Sequence, residues 1–210
     1  MSDTGTDTGT DMGAAGVRAP REVLDFWLGE VGEAGWYKPP AGLDERVRGL
    51  AEDTWVAAVE GRLGLWLTTP LDALAYVILL DQLPRNMFRG TPLSFASDRH
   101  ARAAAKAAIA RGWDLRVPGP ERQFFYLPLE HSENLVDQDR AVRLFKARLP
   151  EAADQLLHAR AHREQIRTFG RFPTRNAVLG RPSTPAEEAF LAQGGYGALV
   201  ERLRGAPGAA

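Results

Sequence analysis

The chain has 210 residues, 26 Lys+Arg against 27 Asp+Glu, and no cysteine. That length supports one domain or two small ones, and 44% hydrophobic with 25% charged residues is the composition of an ordinary soluble globular protein. Balanced charge argues against a general nucleic-acid or acidic-membrane binder, which needs a basic excess to hold phosphates, and the lack of cysteine removes disulfide frameworks and thiolate metal sites.

Residues 1–19, with the near-repeat TDTGTDTGTD and almost no large apolar side chain, are predicted to form a disordered tail, because they bury too little surface to offset their ordering entropy. They lack the basic start and apolar stretch of a secretory signal. The longest apolar run, Ala73 to Leu80, is too short to span a bilayer, so a cytoplasmic location is expected. Residues 20–204 read as one helical domain and 205–210 as a frayed tail.

Within that domain the hydrophobic spacing is helical nearly throughout. A first helix follows Pro20, carries Val23, Leu24, Phe26, Trp27 and Leu28, and is expected to stop at Gly29. Asp44 is placed as the cap of a second helix running to Gly61. Thr69-Pro70, Thr91-Pro92 and Thr184-Pro185 mark changes of direction, since Thr at Ncap accepts an orphan N–H and Pro at N1 has none to satisfy. The helix after Pro92 is expected from Asp98 to Gly112, and further helices over 120–127, 134–148 and 150–169. Thr184 and Glu187 form a capping box ahead of Phe190 and Leu191. No sustained apolar/polar alternation suggests a strand, so the prediction is all-α, with seven or eight helices. The segment Ala73–Leu80 is apolar on every side, which marks a buried central helix.

Three polar segments carry the candidate chemistry. The first, Leu80-Asp-Gln-Leu-Pro-Arg-Asn86, ends the buried helix. Asp81 there opposes the helix dipole and needs a partner, for which Arg85, Arg89, Arg171 and Arg175 are the candidates. It reads either as an Asp–Arg clamp locking two loops or as an orienter of a ligand-binding arginine. The second segment, Phe169 to Pro185, echoes the first: apolar-Pro, Arg-Asn, a basic residue, then Thr-Pro. Paired as a wall, Arg85, Asn86, Arg89, Arg171, Arg175 and Asn176 would suit a carboxylate or phosphate. For either loop alone the favoured reading is structural, with arginine capping helix C-terminal carbonyls and asparagine making the turn. In the third, Tyr126 to Asp137, a helix starting near Pro128 would put Glu130, Glu133 or Asn134, and Asp137 on one face, which read blandly is a solvated acidic face. A later start capped by Ser132 would leave Glu130 and His131 in an irregular turn facing a cleft. Glu130, His131 and Glu133 are the candidate proton-transfer groups.

Asp154, His158 and His162 share a helical stripe, but the His-Glu-x-x-His zinc signature is absent, so acid–histidine pairing on a solvated face is expected and neither a metal nor a cofactor is predicted. Gly-x-Ser-x-Gly, Walker and dinucleotide fingerprints are also absent.

Taken together, Leu79-Leu-Asp-Gln-Leu-Pro-Arg-Asn-Met-Phe-Arg-Gly-Thr-Pro92, Tyr126-Leu-Pro-Leu-Glu-His-Ser-Glu133 and Phe169-Gly-Arg-Phe-Pro-Thr-Arg-Asn-Ala-Val-Leu-Gly-Arg181 resemble the bacterial family known as domain of unknown function 924. Val23-Leu-Asp-Phe-Trp27 and Ser183-Thr-Pro-Ala-Glu-Glu-Ala-Phe-Leu191 extend the resemblance over about residues 20 to 192. It implies an all-helical, tetratricopeptide-like array without an established activity, and a family histidine at His162 but not at His158. Thr174 stands where the family usually has histidine, which removes a loop base and leaves a hydroxyl. Asn134 replaces an acid.

The resulting expectation is a polar cleft for a small anionic ligand, with Arg85, Arg175, Asn86 and Asn176 holding the anion. Glu130, His131 or Glu133 would move a proton, with His162 as second candidate, in a hydrolysis. The alternative is a tetratricopeptide-like module binding a protein partner along its helix faces; a third reading makes the segments buried Arg–carboxylate networks that fix packing. Neither nucleic acid nor membrane is an expected partner, and the sequence carries no reading of oligomeric state.

Overall fold

The computed structural model describes residues 16–38 and 40–206, and side-chain caps from Thr69, Asn134 and Thr184 mark three of its helix starts. The predicted tail at 1–19 and the last residues of the predicted C-terminal tail therefore lie largely outside the described part. Helix α1 (Pro20–Leu24) begins on Pro20 as expected. It does not stop at Gly29: the chain continues as a wider π-helical turn through Val31 into α2 (Gly32–Trp36). Phe26 and Trp27 of that turn are buried, and the Trp36 indole N–H donates to the Trp27 carbonyl at 2.8 Å, so tertiary packing supplies what a glycine stop would otherwise end.

Helix α3 (Leu43–Val59) is capped by Gly42 in the left-handed region, φ 76°, rather than by Asp44. Asp44 sits in the first turn and turns outward to Arg89, at 2.7 and 2.9 Å. Helix α4 (Pro70–Asp81) starts as its sequence predicts, with Thr69 Oγ1 accepting from the Asp72 amide at 3.2 Å. Every residue from Ala73 to Asp81 is buried. Leu83–Met87 forms a further short helix, α5, with Pro84 in its first turn where no N–H is missed.

A 3-10 turn over Pro92–Phe95 leads to α6 (Asp98–Ala110). The segment expected as a helix over 120–127 divides into a 3-10 turn, Glu121–Phe125, and a short α7 (Leu127–Glu130). Helix α8 (Leu135–Arg148) is capped by Asn134, whose Oδ1 accepts from the Val136 amide at 2.9 Å; the substituted acid position is thus a cap, and Ser132 is not. After α9 (Ala153–Phe169) come a 3-10 turn at Pro173–Arg175, α10 (Pro185–Ala192) with its capping box, and α11 (Gly195–Arg204).

The fold is all-helical, with no strand among the described residues. Helix α4 lies at its centre, packed against α1, α3, α5, α6 and α7. Helices α8 and α9 pair with each other and pack against α7, and α9 also meets α11. One large apolar core surrounds α4; a second, small one joins Leu157 and Ala161 of α9 to Leu199 and Val200 of α11. Among the described residues no helix is long and apolar enough to cross a membrane.

Candidate functional site

Asp81 is the last residue of α4 and Glu130 the last of α7, so two helix C-termini deliver two carboxyl groups to one region. Asp81 is fully buried and Glu130 only 3% exposed. The turn after α7 is fixed from beneath by Gln138 of α8, whose amide donates to the carbonyls of Glu130 at 2.5 Å and Ser132 at 2.7 Å. That turn aims His131 at Asp81, with Nδ1 at 2.9 and 3.0 Å from the two carboxylate oxygens. Facing a carboxylate, Nδ1 carries the proton.

The partner expected for Asp81 is an arginine. The structure gives it His131 first, with the Gln82 amide at 2.5 Å and Arg85 only at 3.9 Å. Burial pushes the Asp81 carboxyl up; the charge and hydrogen bond of His131, with Arg85 and Gln82, reverse this and hold it below its usual range.

The two echoing arginine loops do meet, but across a different carboxylate. Arg85 donates to Asp98 at 2.8 Å, and Arg175 approaches the other oxygen at 3.6 Å. Both guanidinium groups also lie against the Phe95 ring, with their central carbons 4.8 and 4.7 Å from its centroid. Arg175 packs on Phe172 as well and donates to the His131 carbonyl at 3.0 Å. Two cations thus share Asp98, whose carboxyl burial nevertheless pushes up, against the pull of Arg85. Burial, then repulsion from Arg85, lowers the Arg175 guanidinium to about 10.

Glu130 meets His162 instead of a cation. Its Oε1 lies 3.6 Å from His162 Nε2, while Glu130 Oε2 and His162 Nδ1 are buried without a hydrogen-bond partner. Burial, aided by the Asp81 charge, raises the Glu130 carboxyl to about 8. Burial and the positive charge of His131 and Arg175 hold the His162 imidazole well below its ordinary value. At neutral pH the pair is a protonated acid beside a neutral base, each with one free polar atom. Such a pair is able to give a proton and to take one.

The remaining candidates do not join this cluster. Glu133 has both oxygens engaged, by Arg181 at 2.8 and 2.9 Å and by the Phe172 amide at 2.8 Å, so it ties the 169–181 loop to the α7–α8 turn. Asn86 accepts from Arg89, which reaches Asp44 and joins α5 to α3. Arg171 holds Glu187 at 2.6 and 2.7 Å, and Asn176 donates to the same carboxylate at 3.3 Å. The predicted paired wall is therefore divided: Arg85 and Arg175 converge, while Arg89, Asn86, Arg171 and Asn176 serve separate clamps.

Neither bland reading of the acids and histidines holds. Glu130 is buried rather than on a solvated face. His158 Nδ1 is 2.5 Å from the Tyr196 hydroxyl, and the His162 ring meets those of Tyr196, Phe172 and His131 at 4.9, 5.3 and 6.1 Å. Only Asp154 of that stripe is solvated, 3.6 Å from Arg204. Sequence reasoning missed Asp98, Phe95 and Tyr196, which touch the cluster from helices or turns distant in the chain. Asp98 at a helix start reads as an ordinary first-turn acid, and no local pattern distinguishes the two aromatics.

A shallow hollow of about 570 Å³ lies over Leu24–Glu30, and another of about 290 Å³ is lined by Gln123, Leu149, Ala152 and Gln155 among others. Asp81, Glu130, His131, His162 and Arg175 line neither. Among the described residues no three His, Asp or Glu side chains are grouped to hold a metal ion.

A solved structure of a protein of unknown function, ATU0120 from Agrobacterium tumefaciens, is similar to this one, with 39% identity and a TM-score of 0.78 over 83% of this chain and 97% of that one. A search of the curated proteins finds no match. The profile of a bacterial protein family of unknown function, DUF924, matches residues 23–195, which contain all three polar segments and every group of the cluster; the chain belongs to that family.

Proposed function

We propose that this protein binds a small anionic molecule, a phosphate or carboxylate, beside Arg175, and that Glu130 and His162 move a proton on it. The observation that carries this reading is the buried Glu130 carboxyl against the part-buried His162 imidazole, with one polar atom on each lacking a protein partner. Buried polar atoms without partners are costly, about 1–3 kcal/mol each, and a bound molecule that satisfies them regains that cost. Arg175 supports the anionic class, because it shares its carboxylate with Arg85 and a further negative group would relieve the repulsion between them. Asp81 and His131 would hold the turn that carries Glu130. Hydrolysis is the reaction class that an acid and a base so placed would serve.

A tetratricopeptide-like array binding a peptide would use anchors spread along its helix faces. Here the polar groups gather at the ends of α4 and α7 and in one loop, which favours a compact site.

The test is a thermal-shift screen of phosphorylated and carboxylated metabolites. A ligand at 100 times its Kd adds about 2.7 kcal/mol, a rise of roughly 5–10 °C at this chain length. Arg175→Ala should remove the shift while keeping the helical far-UV spectrum. Glu130→Gln should keep the shift and lose turnover. A flat response across the panel would favour the helix-array reading instead.

A further inference from the structure

His131 is fixed at its backbone and at one ring nitrogen, and open at the other. Its Nδ1–H donates to both oxygens of Asp81, at 2.9 and 3.0 Å, and that carboxylate is 0% exposed. Its carbonyl receives Arg175 at 3.0 Å, and the carbonyls of Glu130 and Ser132 on either side receive the Gln138 amide. Nε2 is the remaining polar atom. Among the described residues it has no hydrogen-bond partner, yet it is not one of the buried unpaired atoms. It therefore reaches solvent, on a side chain that is 18% exposed.

Holding a turn does not require that arrangement. A buried carboxylate against Nδ1 keeps the proton there and leaves the lone pair on Nε2. It also stabilises the positive charge that forms on the ring when Nε2 takes up an electrophile. The surroundings suit an anionic one. Asp98, which Arg85 reaches at 2.8 Å and Arg175 at 3.6 Å, lies within electrostatic reach of His131 as well. Arg175 makes a single hydrogen bond among the described residues, to the His131 carbonyl. Most of its five N–H donors are thus available to an anion beside the same imidazole. A free carboxylate has no group to lose to an attacking imidazole, whereas a phosphate ester or anhydride has one.

We infer that His131 is a phosphoryl acceptor, whose Nε2 attacks the phosphorus of a small phosphorylated ligand held by Arg175 while Asp81 positions the ring. The inference rests on the reading of this cluster as an anion site, and it selects phosphate over carboxylate. An Nε2–P bond forms as the bond from phosphorus to the departing group breaks. That group leaves with the electron pair and takes a proton from the Glu130–His162 pair. Water then attacks phosphorus, the Nε2–P electron pair returns to the ring, and the proton of the water returns to the Glu130–His162 pair. Asp81 is a positioning residue in this scheme, because it acts through His131.

Two small reagents test this on the full-length chain. Inorganic phosphoramidate is an anion that transfers its phosphoryl group to imidazole with loss of ammonia; diethyl pyrocarbonate is uncharged and reads the free lone pair. Peptide mass spectrometry at alkaline pH, where phosphohistidine survives, locates the label, and phosphorus NMR separates the Nε2 and Nδ1 isomers. The expected result is phosphorylation of His131 at Nε2, at least tenfold faster than of His100. Asp81→Asn can donate to Nδ1 and so move the proton to Nε2, and it should slow both reagents at His131 at least tenfold while leaving His100 unchanged. Nitrogen–proton NMR of the unsubstituted protein reads the same tautomer without any variant, and should show the proton on Nδ1. Arg175→Gln should slow phosphoramidate and leave diethyl pyrocarbonate unchanged. Phosphorylation of His131 no faster than of His100 would overturn the inference, as would a proton on Nε2 or a folded Asp81→Asn protein that reacts like the wild type. If Arg175→Gln slows neither reagent while Asp81→Asn slows both, His131 stands as the acceptor and the anion-binding reading of Arg175 fails.

Discussion

Glu130 shows how one burial decides both chemistry and stability. The folded side chain keeps its proton to about 8, against an ordinary value of 4.5. Between those values the native state binds more protons than the unfolded chain, so the stability from this group is full below about 4.5 and is lost as pH rises through about 8. His162 acts in the other direction: its imidazole is lowered from 6.5, so its contribution is present above that value and is lost as pH falls below it. Glu130→Gln keeps the shape and removes the titration. It should match the wild type near pH 5 and exceed it near pH 9 by a few kcal/mol, because each tenfold difference in proton affinity between folded and unfolded chain is worth about 1.4 kcal/mol. Urea unfolding at the two pH values measures the difference. Parallel pH profiles for the two proteins would refute the burial argument. Glu130 and His131 were legible in the sequence as candidates because an acid and an imidazole sit beside a helix break. Their partners were not. Local spacing alone pairs Asp81 with arginine, whereas its His131 contact and the Asp98 bridge between Arg85 and Arg175 are long-range pairings made by packing.

Elements were legible where the start signal is chemical and local. Thr69-Pro70 and Thr184-Pro185 begin helices as their sequences predict, and the Thr184–Glu187 box forms both of its bonds, at 3.3 and 2.7 Å. Expectations failed where a neighbour took the side chain, as Arg89 takes Asp44, or where burial carried a helix past a glycine, as at Gly29. The α10 cap has a second duty, because Glu187 also receives Arg171 and Asn176 from the preceding loop. The Arg171 hydrogen bonds, and then the Thr184 amide, hold its carboxyl at about 2. This depressed value gives stability that is present above the ordinary 4.5 and lost as pH falls toward about 2. Thr184→Ala removes one arm of the box and should cost about 1 kcal/mol in a denaturant titration. Glu187→Ala should cost more, because it unties the loop and the helix together. Equal losses from the two substitutions would mean that the loop is held by something else.

For the whole molecule, the all-α class was readable from periodicity, and the central position of α4 from a run that is apolar on every side. The division of the apolar interior into two cores was not readable, since Leu79 and Leu199 look alike in sequence. Leu79 is 0% exposed in the main core and Leu199 4% exposed in the small one. Leu→Ala at a buried site removes transfer energy and leaves a cavity, typically about 2–5 kcal/mol. At Leu79 that loss falls on the cooperative unit itself, so the urea midpoint should drop and the slowest amides of α4 and α6 should exchange faster. At Leu199 the loss falls on the attachment of α11. Where that attachment opens before the rest unfolds, the slowest core amides keep their protection while those of α11 lose theirs. Native-state hydrogen exchange on the two variants separates the cases, and a uniform loss of protection in Leu199→Ala would show that α11 belongs to the same cooperative unit as α4.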